Sequence, residues 1–574
     1  MKHLFSVTLF AVIVLLFAAP SLSFAAGDTL VVYAKGPTLD KVIRGDTLAN
    51  GAKAHHVYQL VSTDTTYIFD ATITTNASMT LIGVPKAGTG RLPCIQPDVL
   101  GDGSVPGVLF TYTGRGTIAT LRHLYLLGIA INNTVSYGAG QAVQISADSI
   151  RFTADDVVFE QWSQFAIGYS GNWDKFFVSN CRFRNMTTQP NQWYVGEVLR
   201  NENYLGAFKT DTTIFRANTM LCVSGYAAAM TSGIVSYYEF SHNTVVWTFK
   251  NLFFLDRMVN AKFNNNVFYG VFAGGQNKTE FAGWDSFTAN TGPSIITMGP
   301  LDSTTAANFD PADIGNANLI TLAGAKRKIE VKNNAYFWPA TLTSYWKSWN
   351  DTSHVDSIYT PLFMNASTAA MFSSITTPGF VQSGNLNVDP GYGPTIDAVL
   401  TQSTNGLLNW FKAVRTGVGT TQLYGYQTTQ VGTAANWTPP WPLPETTDMA
   451  YSNTSLKTGA TDGKPIGDPG WFGIATAVQS QPGVVPTQFT LSAAYPNPFN
   501  PSTNIEYTLN TSGLTSLKVY NLLGQVVKTI VSNVYQNAGA YKVNIDMSTL
   551  PSGMYVTILE QGSNRLAQKI MLLK

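Results

Sequence analysis

Tyr238-Glu239-Phe240-Ser241-His242-Asn243-Thr244-Val245 decides how the chain folds. Apolar and polar side chains alternate up to an asparagine, and apolar residues resume two places beyond it. Such alternation sends one set of side chains to each face of a strand. Asparagine suits the tight turn that follows because it tolerates the left-handed backbone region. The same arrangement recurs on either side, as Phe152/Asp155/Val157, Phe177/Asn180/Phe183, Phe215/Asn218/Met220, Phe263/Asn266/Phe268 and Val331/Asn334/Tyr336. Successive Asn or Asp positions lie 25, 38, 25, 23 and 68 residues apart. The spacings near 24 set a period, 38 marks an inserted loop, and 68 marks a larger insertion or coils whose pattern has decayed.

That period predicts an all-β fold: a right-handed parallel β-helix over residues 76–400 with loop insertions, each coil made of three short strands. Coils then stack about 4.8 Å apart through parallel hydrogen bonds. The asparagine amides form a ladder, and Phe152, Phe177, Phe215, Phe240 and Phe263 form one buried column. A series of β-sandwiches, whose strands also recur at about 8–12 residues, is the competing reading.

Composition fits a turn-rich β protein. Of the 574 residues 12% are charged and 45% hydrophobic, against about 25% charged in ordinary soluble chains. That excludes a disordered, coiled-coil or helical-solenoid chain. With 35 basic and 34 acidic residues the formal charge is +1, so no broad positive field exists to hold nucleic acid, and none is expected as a partner. Residues 1–26 read as a signal peptide: Lys2 and His3 precede the apolar run Leu4 to Phe17, and Ser23-Phe24-Ala25 supplies small residues for cleavage. The run is shorter than the roughly 20 residues of a membrane span. Cys94, Cys181 and Cys222 have no disulfide or metal-ligand spacing and are expected to be buried small hydrophobes.

Around the central helix, residues 27–75 read as an N-terminal cap. Residues 401–475, with Pro439, Pro440, Pro442 and Pro444, read as an irregular Pro/Gly-rich segment, and 476–488 as a linker. From 489 to 574, alternating runs separated by Gly513, Gly524, Gly539, Gly553 and Gly562 predict a small β-sandwich of some seven strands.

Several stretches carry resemblances. The segment around Asn243, with Met79-Thr80-Leu81-Ile82-Gly83-Val84 upstream, resembles pectate-lyase-like right-handed β-helices. Asp28-Thr29-Leu30-Val31-Val32, Asn387-Val388-Asp389-Pro390-Gly391 and Gly467-Asp468-Pro469-Gly470-Trp471-Phe472 are similar to secreted β-helix proteins of the Bacteroidetes and Ignavibacteria. At the C-terminus, Tyr495-Pro496-Asn497-Pro498-Phe499-Asn500, the turn ending at Gly524, Gly553-Met554-Tyr555 and the terminal strand through Lys574 closely resemble a type A sorting domain of the type IX secretion system. That resemblance implies the type IX machinery as a partner, Sec export, passage through the outer membrane and residence outside the cell or on its surface. Fold similarity does not transfer activity.

Enzymes with this β-helix act along the first strand of successive coils, which is expected here at Gln141 to Ser146, Phe165 to Ser170, Ala227 to Gly233, Leu252 to Met258 and Asn318 to Leu322. Only Leu252 to Met258 carries charge, making Asp256 and Arg257 the candidate catalytic pair. A polysaccharide lyase needs several carboxylates around Ca2+ and a cationic base, so Ca2+ is expected only with that activity and otherwise no cofactor or metal. Asp155-Asp156 is assigned to the ladder. The 38-residue interval offers a glycan-binding set, Trp193, Tyr194, Glu197, Arg200, Glu202, Tyr204, Lys209 and Asp211, whose aromatic faces stack on sugars while acids and Arg bond hydroxyls. The sequence therefore favours a non-catalytic surface protein that binds glycans or contributes to extracellular matrix, with a lyase of acidic polysaccharide as the alternative. Exposed end coils also leave self-association into filaments open.

Overall fold

A computed structural model describes residues 28–574 apart from 132–138, 187–194, 203–208, 231–233, 256, 276–291, 299–323, 353–356, 402–405, 417–440, 444–448, 475–488, 511–512, 537–538 and 562–563. The chain divides into two compact units, Gly27–Thr476 and Ala477–Lys574. Residues 1–26, read as a signal peptide, lie outside the described residues, as does the expected groove segment Asn318 to Leu322. No described helix is long and apolar enough to cross a membrane.

The larger unit is a parallel β-helix. Among the described residues its first sheet has seven strands, Ile73–Thr75, Val108–Tyr112, Gln141–Ile145, Phe165–Tyr169, Glu197–Asn201, Ala228–Ala229 and Phe253–Phe254. The second and third faces form one continuous 19-stranded sheet, because Ile118–Leu127 and Arg151–Glu160 run through the bend between them. Parallel stacking on the second face starts at Thr29–Val32, which pairs with Val57–Val61, which pairs with Met79–Val84. It ends at Phe380–Ser383. Helix Leu39–Gly45 adds Leu39 and Ile43 to the core.

The repeat aligns as the sequence predicts in its later coils and slips in its earlier ones, by one residue at Phe177 and by two at Phe152. Phe215 lies over Phe240, Phe240 over Phe263 and Phe263 over Val331, all buried, with the Phe215 and Phe240 ring centroids 6.2 Å apart. One coil earlier, Val178 rather than Phe177 lies under Phe215, and Phe152 pairs with Phe176. Phe177 instead faces outward, beneath the Arg151 guanidinium at 4.7 Å. Adjacent phenylalanines at 176 and 177 offer two registers, and burial selects the first.

The amide ladder shifts with it. Asn218, Asn243, Asn266, Asn334 and Asn385 stack, each side-chain oxygen accepting the backbone N–H of the residue one coil earlier at 2.8–3.2 Å. Each amide nitrogen donates to a carbonyl of the preceding coil, such as Asn266 to Phe240 at 2.8 Å. Cys181 occupies the position assigned to Asn180. Asp155 lies outside the ladder, its Oδ1 accepting from Ser179 and Asn180 at 2.8 Å. The left-handed backbone falls one residue before the ladder, at His123, Asp156, Asn180, Ala217, His242, Asn265, Asn333 and Gly384. Asn385, absent from the sequence pattern, ends the row. All three cysteines are buried thiols.

After residue 339 the chain covers the outer side of the third face. Helices Ala340–Asp351, Pro394–Thr401 and Leu407–Thr416 supply Leu342, Trp346, Ile396, Val399, Trp410 and Phe411 to a second core against Val246, Trp247, Phe249 and Tyr269. Trp247 Nε1 donates to the Ile396 carbonyl at 3.0 Å. Apolar positions every three or four residues explain these helices; Leu407–Thr416 falls in the segment 401–475 read as irregular, whereas Ala340–Asp351 begins within the span 76–400 read as β-helix with loop insertions.

Residues 449–474 then form a strap along the bend between the second and third faces. Asn333 Nδ2 donates to the Gly459 carbonyl at 2.7 Å, Thr461 N–H to Asn265 Oδ1 at 2.9 Å, and Asp468 N–H to Thr244 Oγ1 at 2.9 Å. Trp471 Nε1 donates to Thr219 Oγ1 at 2.7 Å, with the Arg182 guanidinium 4.9 Å over its ring. The strap thus climbs from late coils to early ones.

The C-terminal unit is an antiparallel sandwich. Three strands, Thr490–Leu491, Ser502–Leu509 and Gly539–Asp546, face four, Val526–Gln536, Gly513–Tyr520, Gly553–Gln561 and Asn564–Leu572. Ile505, Tyr507, Leu517, Val519, Leu559 and Ile570 fill its core.

Candidate functional site

The outward side of the first sheet gathers charged, amide and aromatic side chains. Val143, Ile167, Leu199, Ala228 and Phe253 share one rung line and turn into the core. Their neighbours Gln144, Gly168, Arg200, Ala229 and Phe254 share the next line and so point the other way.

Strand Glu197–Asn201 brings charge to this face. It was not among the expected groove strands because the 38-residue interval around it read as an inserted loop, yet Val198 and Leu199 are fully buried. Arg200 Nη1 donates to both Glu197 oxygens, at 3.0 and 3.1 Å. Lys250 Nζ stands 3.7 Å from the same carboxylate and 3.8 Å from the centre of the Tyr226 ring. The Arg200 guanidinium lies 5.9 Å from the Phe165 ring centre, and Tyr226 packs on Phe254 at 5.6 Å. One carboxylate therefore orders two cations among three aromatic rings. The expected groove segments did not include this strand, and it adds Glu197 and Arg200 to a sheet whose expected strands carry charge only at Leu252 to Met258.

Next to this cluster, Glu202 Oε2 accepts from Gln141 Nε2 at 3.2 Å. Burial pushes the Glu202 carboxyl up from its ordinary range, against the hydrogen bonds of Gln141 and Gln144 and the Arg200 charge.

The remaining sequence candidates separate. Lys209 and Asp211 sit on the second face, in strand Lys209–Arg216, where Asp211 pairs with Lys175 at 3.3 Å and Lys209 Nζ lies 5.1 Å from the half-exposed Trp173 ring. They do not join Glu197, Arg200 and Glu202. Trp193, Tyr194, Tyr204 and Asp256 lie outside the described residues. Arg257 stands at the bend between Phe253–Phe254 and Met258–Asn264, its carbonyl accepting from Val235. Among the described residues no three His, Cys, Asp or Glu side chains gather to hold a metal ion.

In the C-terminal unit the motif residues fasten the last strand. Asn497 Nδ2 donates to the Lys569 carbonyl at 3.0 Å and its Oδ1 accepts Met571 N–H at 2.8 Å. Phe499 N–H donates to the Met571 carbonyl at 3.0 Å, and Leu573 N–H to the Phe499 carbonyl at 2.9 Å. Phe499 is buried, whereas Tyr495, Pro496, Pro498 and Asn500 are exposed. Thr503 Oγ1 donates to the Pro496 carbonyl at 2.6 Å. Tyr555 Oη donates to the Pro551 carbonyl at 2.7 Å, and Lys574 Nζ to that of Ser548 at 2.5 Å. Gly524 closes the turn after Asn521 at φ +77°, and Gly553 opens the strand that carries Tyr555.

Residues 493–573 match the family model described as Secretion system C-terminal sorting domain. The chain is an exported protein of the type IX route. Its sorting domain directs it to the cell surface or the extracellular space and implies contact with the type IX machinery. No curated protein matches the chain.

Proposed function

We propose that the exported β-helix binds polysaccharide without catalysis, through the outward side of its first sheet, in an adhesive or matrix role. The carrying observation is Glu197 holding Arg200 against Phe165 on that face. A guanidinium fixed beside an aromatic ring offers a sugar both a stacking plane and directed donors. The resemblance to pectate-lyase-like β-helices supports the choice of ligand class. Pairing of Arg200 and Lys250 to one carboxylate favours binding over lyase chemistry, which requires a cation available as base.

The test is affinity electrophoresis of residues 27–574 in gels containing neutral and acidic polysaccharides. Retardation by at least one glycan, lost in Arg200→Ala and Phe165→Ala, is the expected result. Unretarded migration in every glycan overturns the reading. Absorbance from unsaturated products in the same mixtures replaces binding with a lyase.

A further inference from the structure

The sorting unit holds one set of apolar side chains inside and leaves a second set outside. Leu517, Val519, Leu559 and Ile570 face its core, so their neighbours along each strand face outward. On that outward side of the four-stranded sheet Val526 pairs with Tyr520 and Tyr520 with Val556, and on the next outward line Met554 pairs with Met571. Val526 is 48% exposed, Met554 39% and Met571 37%.

Beyond Tyr520 the chain turns through Asn521-Leu522-Leu523-Gly524-Gln525. Strand Gly513–Tyr520 runs antiparallel to Gly553–Gln561 with Tyr520 opposite Val556, so the turn projects from the end of the sheet that carries Met554 and Met571. Leu522 is 71% exposed and Leu523 83%. A hydrogen-bonded frame keeps them there. Asn521 Oδ1 accepts the N–H groups of Leu523 at 3.1 Å and Gln525 at 2.9 Å, and Asn521 Nδ2 donates to Gln525 Oε1 at 2.9 Å. Asn521 N–H donates to the Gln525 carbonyl at 3.0 Å, and Gly524 is left-handed at φ +77°.

Lone exposed leucines are ordinary, whereas apolar side chains gathered at one end of a domain mark a contact surface. The charge beside them is positive. Lys569 lies opposite Val556, and Lys518 precedes Tyr520 on the same outward side, while Glu560 and Arg565 pair with each other at 3.1 Å toward the other end of the sheet.

We propose that this end of the outward face, with Leu522 and Leu523 as its anchors, is where the sorting domain docks on a component of the type IX machinery, seating the leucines in an apolar pocket rimmed by carboxylates. The family match over residues 493–573 supplies the class of partner. Burial of the two leucines drives the contact, and Lys518 and Lys569 select the acidic rim. The inference is independent of glycan binding by the β-helix.

The test is Leu522→Ser combined with Leu523→Ser, in the full chain expressed in a host with a working type IX system. Neither side chain enters the core, so the double variant keeps the fold, which carboxypeptidase trimming and the melting temperature of residues 27–574 verify. Cell fractionation reads delivery. Loss of two apolar anchors predicts a fall of about tenfold or more in protein outside the cell, with the double variant retained in the periplasm. Arg565→Ser, and Leu522→Met combined with Leu523→Met, are delivered like the parent. Parental delivery of the double serine variant overturns the proposal. A lowered melting temperature in that variant also overturns it, because the leucines then pack within the protein's own chain. So does a parent that sediments as a dimer when the variant sediments as a monomer, which makes a second copy the occupant.

Discussion

Asn266 Oδ1 accepts two hydrogen bonds from Asn243, one from its backbone N–H at 2.8 Å and one from its side-chain amide at 3.2 Å. Both residues are fully buried, so neither donor has water to fall back on.

Replacing Asn266 by alanine orphans those two donors and the Phe240 carbonyl that Asn266 Nδ2 serves. At about 1–3 kcal/mol per unsatisfied buried group, the β-helix should lose about 3 kcal/mol or more. Urea unfolding followed by tryptophan fluorescence measures it. A loss under about 0.5 kcal/mol, the usual scatter of surface substitutions, would show that the ladder contributes no stability.

Gly83→Ala should be far more damaging than alanine at Gly107. A β-carbon at 83 would stand 1.8 Å from the His123 backbone oxygen, whereas nothing lies within 4 Å of one at 107, whose backbone is not left-handed. Overpacking against backbone costs about 1–3 kcal/mol or more. Soluble yield and melting temperature of the two variants provide the comparison.

Stability should fall as pH rises from about 4 to about 8, in part through Asp174. Its side chain is fully buried, Oδ1 accepts Ile150 N–H at 2.8 Å, and burial, assisted by Asp148, pushes the carboxyl up to about 8. Within that window the folded protein keeps a proton that the unfolded chain releases, so unfolding becomes easier by about 1.4 kcal/mol per pH unit at most. Asp174→Asn should flatten this slope and exceed the parent in stability at pH 9. An unchanged slope in chemical denaturation from pH 5 to 8 would refute the assignment.

Asn497→Ala should loosen the end of the sorting domain. Loss of both bonds to the last strand costs about 1–2 kcal/mol, and the variant should be trimmed faster by carboxypeptidase. Cell fractionation should show it retained in the periplasm at the expense of the outside. Normal delivery with rapid trimming would separate strand anchoring from export.

What the sequence disclosed depended on how distinctive each register was. Phe215, Phe240 and Phe263 with Asn218, Asn243 and Asn266 left one arrangement only. Phe176-Phe177 left two, and the wrong one also misplaced Asn180 and Asp155. Asn385 was hidden because helices Ala340–Asp351 and Ala366–Met371 stretch its coil to 51 residues beyond Asn334. The first-sheet strand Glu197–Asn201 was obscured by its own charges, since a strand whose outward residues pair with one another reads as a loop. In the sorting domain, by contrast, glycine turns bracket each run and the strand pattern was plain.

The strap has a consequence for the order of events when the chain is made. A stack of coils in which each touches only its neighbours can grow and melt from either end. Here Trp471 meets Thr219 across 252 residues, and Trp441 meets the Thr89 carbonyl across 352. Contacts of that sequence separation slow folding. Early coils can form as they emerge, but the bends at Thr244, Asn265 and Asn333 remain open to solvent until residues 459–474 arrive. Once seated, that segment ties distant rungs together, so peeling the last coil must also disturb the middle, and the stack comes apart as a whole rather than fraying.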